Sequence, residues 1–89
     1  MINDNIITMK IVSWDVSPLT NKKYRVILSN GRHVDFGDRR YQHYKDQTPL
    51  KVFSYLNHGD MDRRRSYYDR HNREYPKYSA DWLSKKYLW

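Results

Sequence analysis

Four histidines, ten carboxylates and a run of arginines are the residues of this chain that could do chemistry. His33, His43, His58 and His71 lie 10, 15 and 13 residues apart. A compact zinc helix needs two ligands at i, i+3 or i+4, or a short His-to-His spacing, because only these bring two imidazoles to one ion. None of the four is so placed. His58 with Asp60 and the distant His71 is the one set that could hold a metal or activate a water, as in a small nuclease. Structural hydrogen bonds from His43, His58 and His71 to carboxylates and backbone explain the same residues more simply. Asp35, Asp38, Asp46, Asp60, Asp62 and Asp69 form the larger part of the acidic set. A two-metal centre needs such acids to converge on the ions, away from basic neighbours. Here Asp38 precedes Arg39-Arg40, Asp62 precedes Arg63 and Asp69 precedes Arg70, a pattern of ion pairs and helix caps. There is no cysteine and no Gly-x-Ser-x-Gly, and three scattered glycines build no phosphate loop. The expectation is a non-enzymatic protein with no cofactor, no metal and no small-molecule substrate.

Binding is the richer signal. Net charge is +7, and residues 61–89 carry +4 of it. Arg63, Arg64, Arg65, Arg70 and Arg73, with Lys85 and Lys86, could hold phosphates through counterion release. Tyr67 and Tyr68 could stack on single-stranded bases, worth about 1–3 kcal/mol each when exposed. The stretch offers no base-reading face, so such binding would be non-specific. Arginine and tyrosine are also enriched in protein interfaces, and Asp62, Asp69 and Asp81 stand close enough in sequence to pair with the arginines. Both partner classes, protein surfaces and nucleic acid, stay open at this point.

Eighty-nine residues make one domain, 1–89, with a small core. An aromatic fraction of 16% against 38% apolar residues points to a core of large amphipathic rings rather than to disorder. Without disulfides, a partner surface is the natural supplement to such a core. No apolar run approaches the roughly 20 residues that cross a bilayer, and the start, MINDNIITMKIVSW, has no basic n-region of a signal peptide.

The elements that must position these residues form an α+β arrangement, with a β region at 6–36 and a helical region at 38–89. Ile7, Met9 and Ile11 alternate with Thr8, Lys10 and Val12, which predicts a strand over 6–14. Lys23–Ser29 and Arg32–Phe36 flank Asn30-Gly31, a hairpin signal for a two-residue type I′ turn. That turn would set Leu28 opposite His33, Ile27 opposite Val34 and Arg25 opposite Phe36, with apolar residues on both faces. Three or four short helices follow. Asp38 could cap a turn over 39–44. Thr48-Pro49 predicts a helix to Asn57, with Leu50, Phe53 and Leu56 on one side. Asp60 caps a helix over 61–71, and Ser79 caps a last one carrying Trp82, Leu83, Tyr87 and Leu88. Ending the chain on Tyr87-Leu88-Trp89 predicts that these residues dock, in the chain's own core in preference to a partner.

Three segments, YRVILSNGRHVDFGDRRYQHYKD, TPLKVFSYLNHGDMDRRRSYYDRH and YSADWLSKKYLW, resemble a small family of uncharacterised proteins of nucleocytoplasmic large DNA viruses and their relatives. The resemblance runs over about Lys23 to Trp89. Its most specific parts are Asp35-Phe36-Gly37, Tyr41-Gln42-His43-Tyr44-Lys45-Asp46, Arg64-Arg65, Arg70-His71 and Tyr87-Leu88-Trp89, with His58 and Asp60 between them. Asn57 departs from the pattern, which carries an acidic residue there. The resemblance implies a protein made in the host cytoplasm and packaged in the virion, with no known reaction. It implies a minor capsid or cement-type component that binds other virion proteins of the shell. The alternative is a virion-packaged, sequence-non-specific nucleic-acid-binding protein.

Overall fold

The computed structural model describes residues 9–89. Three strands, β1 (Ile11–Val16), β2 (Lys22–Leu28) and β3 (His33–Asp38), form an antiparallel sheet in the order β1-β2-β3. Two helices follow, α1 (Met61–Arg70) and α2 (Ala80–Tyr87), so the fold is a small α+β one. The part of the first-strand expectation that falls on residues 6–8 lies outside the described residues.

The hairpin turns at Asn30-Gly31 as expected, but its register differs by one residue. Ile27 faces His33, Val26 faces Val34, Arg25 faces Asp35 and Tyr24 faces Phe36. The reason is the turn itself. Gly31 N donates to Leu28 O and Leu28 N to Arg32 O, both at 2.8 Å, which makes a three-residue loop. Gly31 alone takes positive φ, +88°, in the manner of a type I turn closed by a left-handed residue. A one-residue slip exchanges the faces of one strand relative to its partner. Tyr24, Val26 and Leu28 therefore share the core face with Val34 and Phe36, while Arg25, Ile27, His33 and Asp35 share the other. There the Arg25 guanidinium grips Asp35 at 2.9 and 3.0 Å.

β1 adds Trp14 opposite Val26 and Ile11 opposite Leu28, with Val12 as an extra, exposed residue between two registers. Tyr24, Phe36 and Phe53 pack ring against ring at 5.2–5.9 Å. Leu83 and Leu88 close the core from the α2 side, and α2 lies on β3. Trp14 meets Tyr87 edge-on at 4.9 Å.

Both helices start where their caps predict. Asp60 accepts from the N–H groups of Asp62 and Arg63, and Ser79 accepts from that of Trp82. The last carbonyls of α2 are met from outside: Lys45 N donates to Leu88 O and Gln47 N to Tyr87 O.

The expected helix over 49–57 is not formed, and among the described residues there are two α-helices rather than three or four. Thr48 does begin one turn, its Oγ1 accepting from Lys51 N at 3.1 Å. Lys51 then enters the left-handed region at φ +53°. Val52 N turns to Tyr24 Oη and Phe53 N to Asp46 Oδ2, so tertiary acceptors replace the carbonyls a helix would have used. Only a single 3-10 turn, Ser54–Leu56, remains. The expected helical turn over 39–44 is likewise a loop. Asp38 accepts from Arg40 N and closes a two-pronged ion pair with the Arg40 guanidinium. His43 then forms an isolated bridge with Asn57.

Candidate functional site

A polar network lies under the end of the hairpin. Lys23 is 2% exposed although it is a lysine in a strand. It fits because Gly37 stands across from it: a Cβ there would meet Lys23 Cδ and Leu88 Cδ1 at 3.0 Å. The Lys23 ammonium donates to Tyr41 O at 3.0 Å and to His43 Nδ1 at 2.8 Å. His43 is fully buried, and its Nε2 donates to Asn57 Oδ1 at 2.7 Å. Those partners define the tautomer: Nδ1 accepts and Nε2 carries the proton. Burial first, and the adjacent Lys23 charge second, push His43 down to about 4. Burial also lowers Lys23 to about 8, against the raising pull of Asp38 and Asp46.

Asp46 anchors the second half of the network. Its carboxylate accepts from Tyr24 Oη, from Thr48 Oγ1 at 2.6 Å and from the backbone N–H groups of Thr48 and Phe53. Burial alone would raise its pKa, but the Thr48 and Tyr24 hydrogen bonds outweigh it and hold the group below the usual carboxylate range. Asn57 Oδ1 accepts from both His43 Nε2 and Asp46 N, joining the halves.

Above this network opens a cleft of about 520 Å³, between the end of the hairpin, the turn at 38–42, α1 and the end of α2. Lys23, Gln42, Arg63, Arg70, His71 and Trp89 are among its walls. Arg63 Nη1 donates to Gln42 Oε1 at 2.9 Å. Arg70 has no ion-pair partner among the described residues. Asp38 also lines the cleft, but Arg40 pairs with it and lowers it to about 2. A smaller depression of about 240 Å³ continues the cleft along α1 and shares Arg63, Arg70 and Trp89 with it.

The candidate contact residues fall into two groups. Arg63, Arg65, Arg70 and Arg73 are exposed, although Arg65 meets Asp62 at 3.3 Å and Arg73 lies over the Tyr75 ring. Of the others, Lys86 is exposed as well, and Arg64, Lys85, Tyr67 and Tyr68 are committed to the fold. Arg64 lies 5.0 Å from the ring centres of both Tyr44 and Tyr68, and its Nε donates to Trp89 O at 2.7 Å. Lys85 donates to His71 O and covers Tyr68; Lys86 lies over Trp82 and Tyr87. Tyr67 is 7% exposed, sandwiched between Trp89 at 4.3 Å and His71 at 4.1 Å. Its faces are therefore taken, and no base can stack on it. Tyr68 is half-buried between Arg64 and Lys85.

The remaining motif residues serve local structure. His58 Nδ1 accepts from Asp60 N, while its buried Nε2 has no hydrogen-bond acceptor among the described residues and the ring lies 5.1 Å from that of Trp89. His71 Nδ1 donates to Tyr67 O. Asp35 holds Arg25 and accepts from Ser17 Oγ. Among the described residues no three His, Asp or Glu side chains converge as metal ligands, and no helix is long and apolar enough to cross a membrane.

Residue type and spacing do not mark Lys23, Gln42 and Asn57, which are central here, and they place Asp46 only among the carboxylates read as ion pairs and caps. Gly37 was the available clue to Lys23, since a glycine across a strand pair leaves room for a long side chain. The expected register set Lys23 against Asp38 and hid it.

A family model described as a family of unknown function (DUF5754) matches residues 12–49. Over that stretch, which carries Lys23, Gly37, His43 and Asp46, the chain is similar to that family. No curated protein and no solved structure matches the chain.

Proposed function

We infer that this chain is a non-enzymatic component of the particle of a large DNA virus, a minor capsid or cement-type protein carried in the virion. Its work is adhesion: arginine and aromatic side chains hold neighbouring protein surfaces, and those neighbours complete a small core. The observation that carries this reading is the set of large side chains left outside the fold. Tyr55 is 75% exposed and Tyr41 64%, with Val12, Leu19, Val52 and Met61 each near half. The Arg40 guanidinium lies 5.7 Å from the Tyr41 ring centre, an amphipathic pair of the kind that anchors interfaces. The buried His43 and Asp46, by contrast, are engaged, His43 with Lys23 and Asn57 and Asp46 with Tyr24, Thr48 and backbone N–H groups. The viral resemblance supplies the setting.

The test is graded disassembly of purified particles in rising detergent and salt, with mass spectrometry following the chain. Release together with shell proteins supports the reading. Retention with the genome core until high salt rejects it in favour of non-specific nucleic-acid binding. That second reading is favoured by the exposed Arg63, Arg65, Arg70 and Arg73 in one stretch. It predicts a linear fall of log affinity for DNA with log salt.

A further inference from the structure

We propose that the cleft between α1 and the turn at 38–42 is a docking site for an acidic segment of a partner protein, whose carboxylates seat against Arg63 and Arg70. The proposal rests on the adhesion reading and names what the adhesive surface grips.

Arg63 and Arg70 are seven residues apart on α1, two turns, so they project from one face and are separated by about 10 Å along the axis. Both line the main cleft and its extension. Arg63 is oriented by Gln42, a neutral acceptor, so its guanidinium is aimed without being neutralised. Lys23 adds a charge at the floor, where low-dielectric walls strengthen the field. Of the acids that reach the cleft, Asp38 is already paired with Arg40 and Asp62 with Arg65. Asp81, in the first turn of α2, is the remaining one, and it does not balance three cations. A guanidinium binds a carboxylate through two parallel hydrogen bonds, and a concave pair of them without ion-pair partners among the described residues calls for anions.

The shape and surroundings favour a peptide over a nucleic-acid backbone. A polyphosphate needs a continuing track of available cations. Within the cleft that track is short, because Arg64 is engaged with Trp89 O and Lys85 with His71 O, and the exposed Arg65, Arg73 and Lys86 do not line it. Leu88 and Trp89 give the cleft apolar wall, which suits the aliphatic part of an Asp or Glu side chain and its neighbours.

The experiment titrates the full chain with a fluorescein-labelled peptide of glutamate and glycine. Oligothymidylate and inorganic phosphate serve as competitors. NMR of the arginine Nε–H groups is the site-resolved readout. The peptide is expected to shift the Arg63 and Arg70 signals and leave that of Arg64 in place. Arg63→Gln and Arg70→Gln should each weaken binding about tenfold, with unfolding temperatures unchanged. No peptide binding, or binding that both variants leave intact, overturns the proposal. So does tighter binding of oligothymidylate or phosphate at the same two arginines. In particles, a chain that leaves with the shell while the double variant does so equally well would sink the cleft and leave adhesion standing. A chain that stays with the genome core would sink adhesion itself.

Discussion

The ammonium of Lys23 and Nδ1 of His43 lie 2.8 Å apart, both residues at most 2% exposed. A charge and a neutral imidazole thus share one buried hydrogen bond: burial and then the Lys23 charge lower the proton affinity of His43, while burial lowers that of Lys23. An ordinary histidine titrates near 6.5, whereas His43 in the fold is held at about 4. Within that window the unfolded chain takes up a proton that the folded chain refuses. The His43 contribution to stability is therefore full above pH 6.5 and is lost as pH drops toward 4, by up to roughly 3 kcal/mol. Urea unfolding across this range should show the loss, and His43→Gln should flatten it. An unchanged acid limb in that variant would assign the loss to other groups.

Lys23 acts at the other end of the pH scale. Its ammonium is lowered from 10.5 to about 8, so between these values the unfolded chain holds the extra proton and stability rises with pH. Tyr24, Tyr67 and Tyr87 are raised above their usual 10, mainly by burial, and oppose the rise beyond that point. The expected curve climbs above pH 8 and turns over past 10. Lys23→Met should remove the climb and keep the turn, as read by unfolding in buffered urea.

Gly37 separates two kinds of glycine constraint. At φ +77° with Leu88 and Lys23 atoms 3.0 Å from where a Cβ would stand, Gly37→Ala adds a clash to an unfavourable backbone. It should cost about 3 kcal/mol, against about 1 kcal/mol for Gly31→Ala, whose Cβ meets open space. Thermal unfolding of the two variants compares them directly, and equal losses would refute the contact at Gly37.

Asp46 ties β2 to the loop that replaces the expected helix. Asp46→Asn keeps the shape but sets an amide among the donors Tyr24 Oη, Thr48 Oγ1 and two backbone N–H groups. A loss of about 3 kcal/mol is expected. Combined with Tyr24→Phe the losses should fall short of additive, because the first change already frees Tyr24 Oη. Additivity in the double-mutant cycle would mean that the two residues act separately.

Arg63 and Arg64 are adjacent and should behave in opposite ways. Arg64→Gln removes a cation held between two tyrosines and a hydrogen bond to Trp89 O, at a cost of about 2 kcal/mol. Arg63→Gln at an exposed site should change stability by no more than about 0.5 kcal/mol. Denaturant midpoints decide this, and a reversed order would redraw the division between fold-bound and available arginines.

Local chemistry was legible where it needs no distant partner. Asp60 and Ser79 start helices because an Asx or Ser oxygen meets N–H groups two or three residues on. Asn30-Gly31 turns the chain because Gly31 tolerates left-handed φ. What that dipeptide did not reveal was whether two or three residues close the loop. The difference is one residue of register, and it decided which face became core.

By itself the sequence determined the α+β class, the hairpin, both helix caps, the aromatic core and the basic character of the chain's last third. All of these follow from composition and from interactions spanning a few residues. Tertiary structure alone decided the rest. Thr48-Pro49 reads as a helix start, but Tyr24 Oη and Asp46, brought from β2 and the following loop, bind Val52 and Phe53 first. Arg63, Arg64 and Arg70 are identical as residues. Only the positions of Gln42, Tyr44 and Trp89 make one of them part of the fold and leave two facing a cleft. A burial or a pairing is a property of distant segments meeting in space, and no local pattern encodes which of several like side chains will be met.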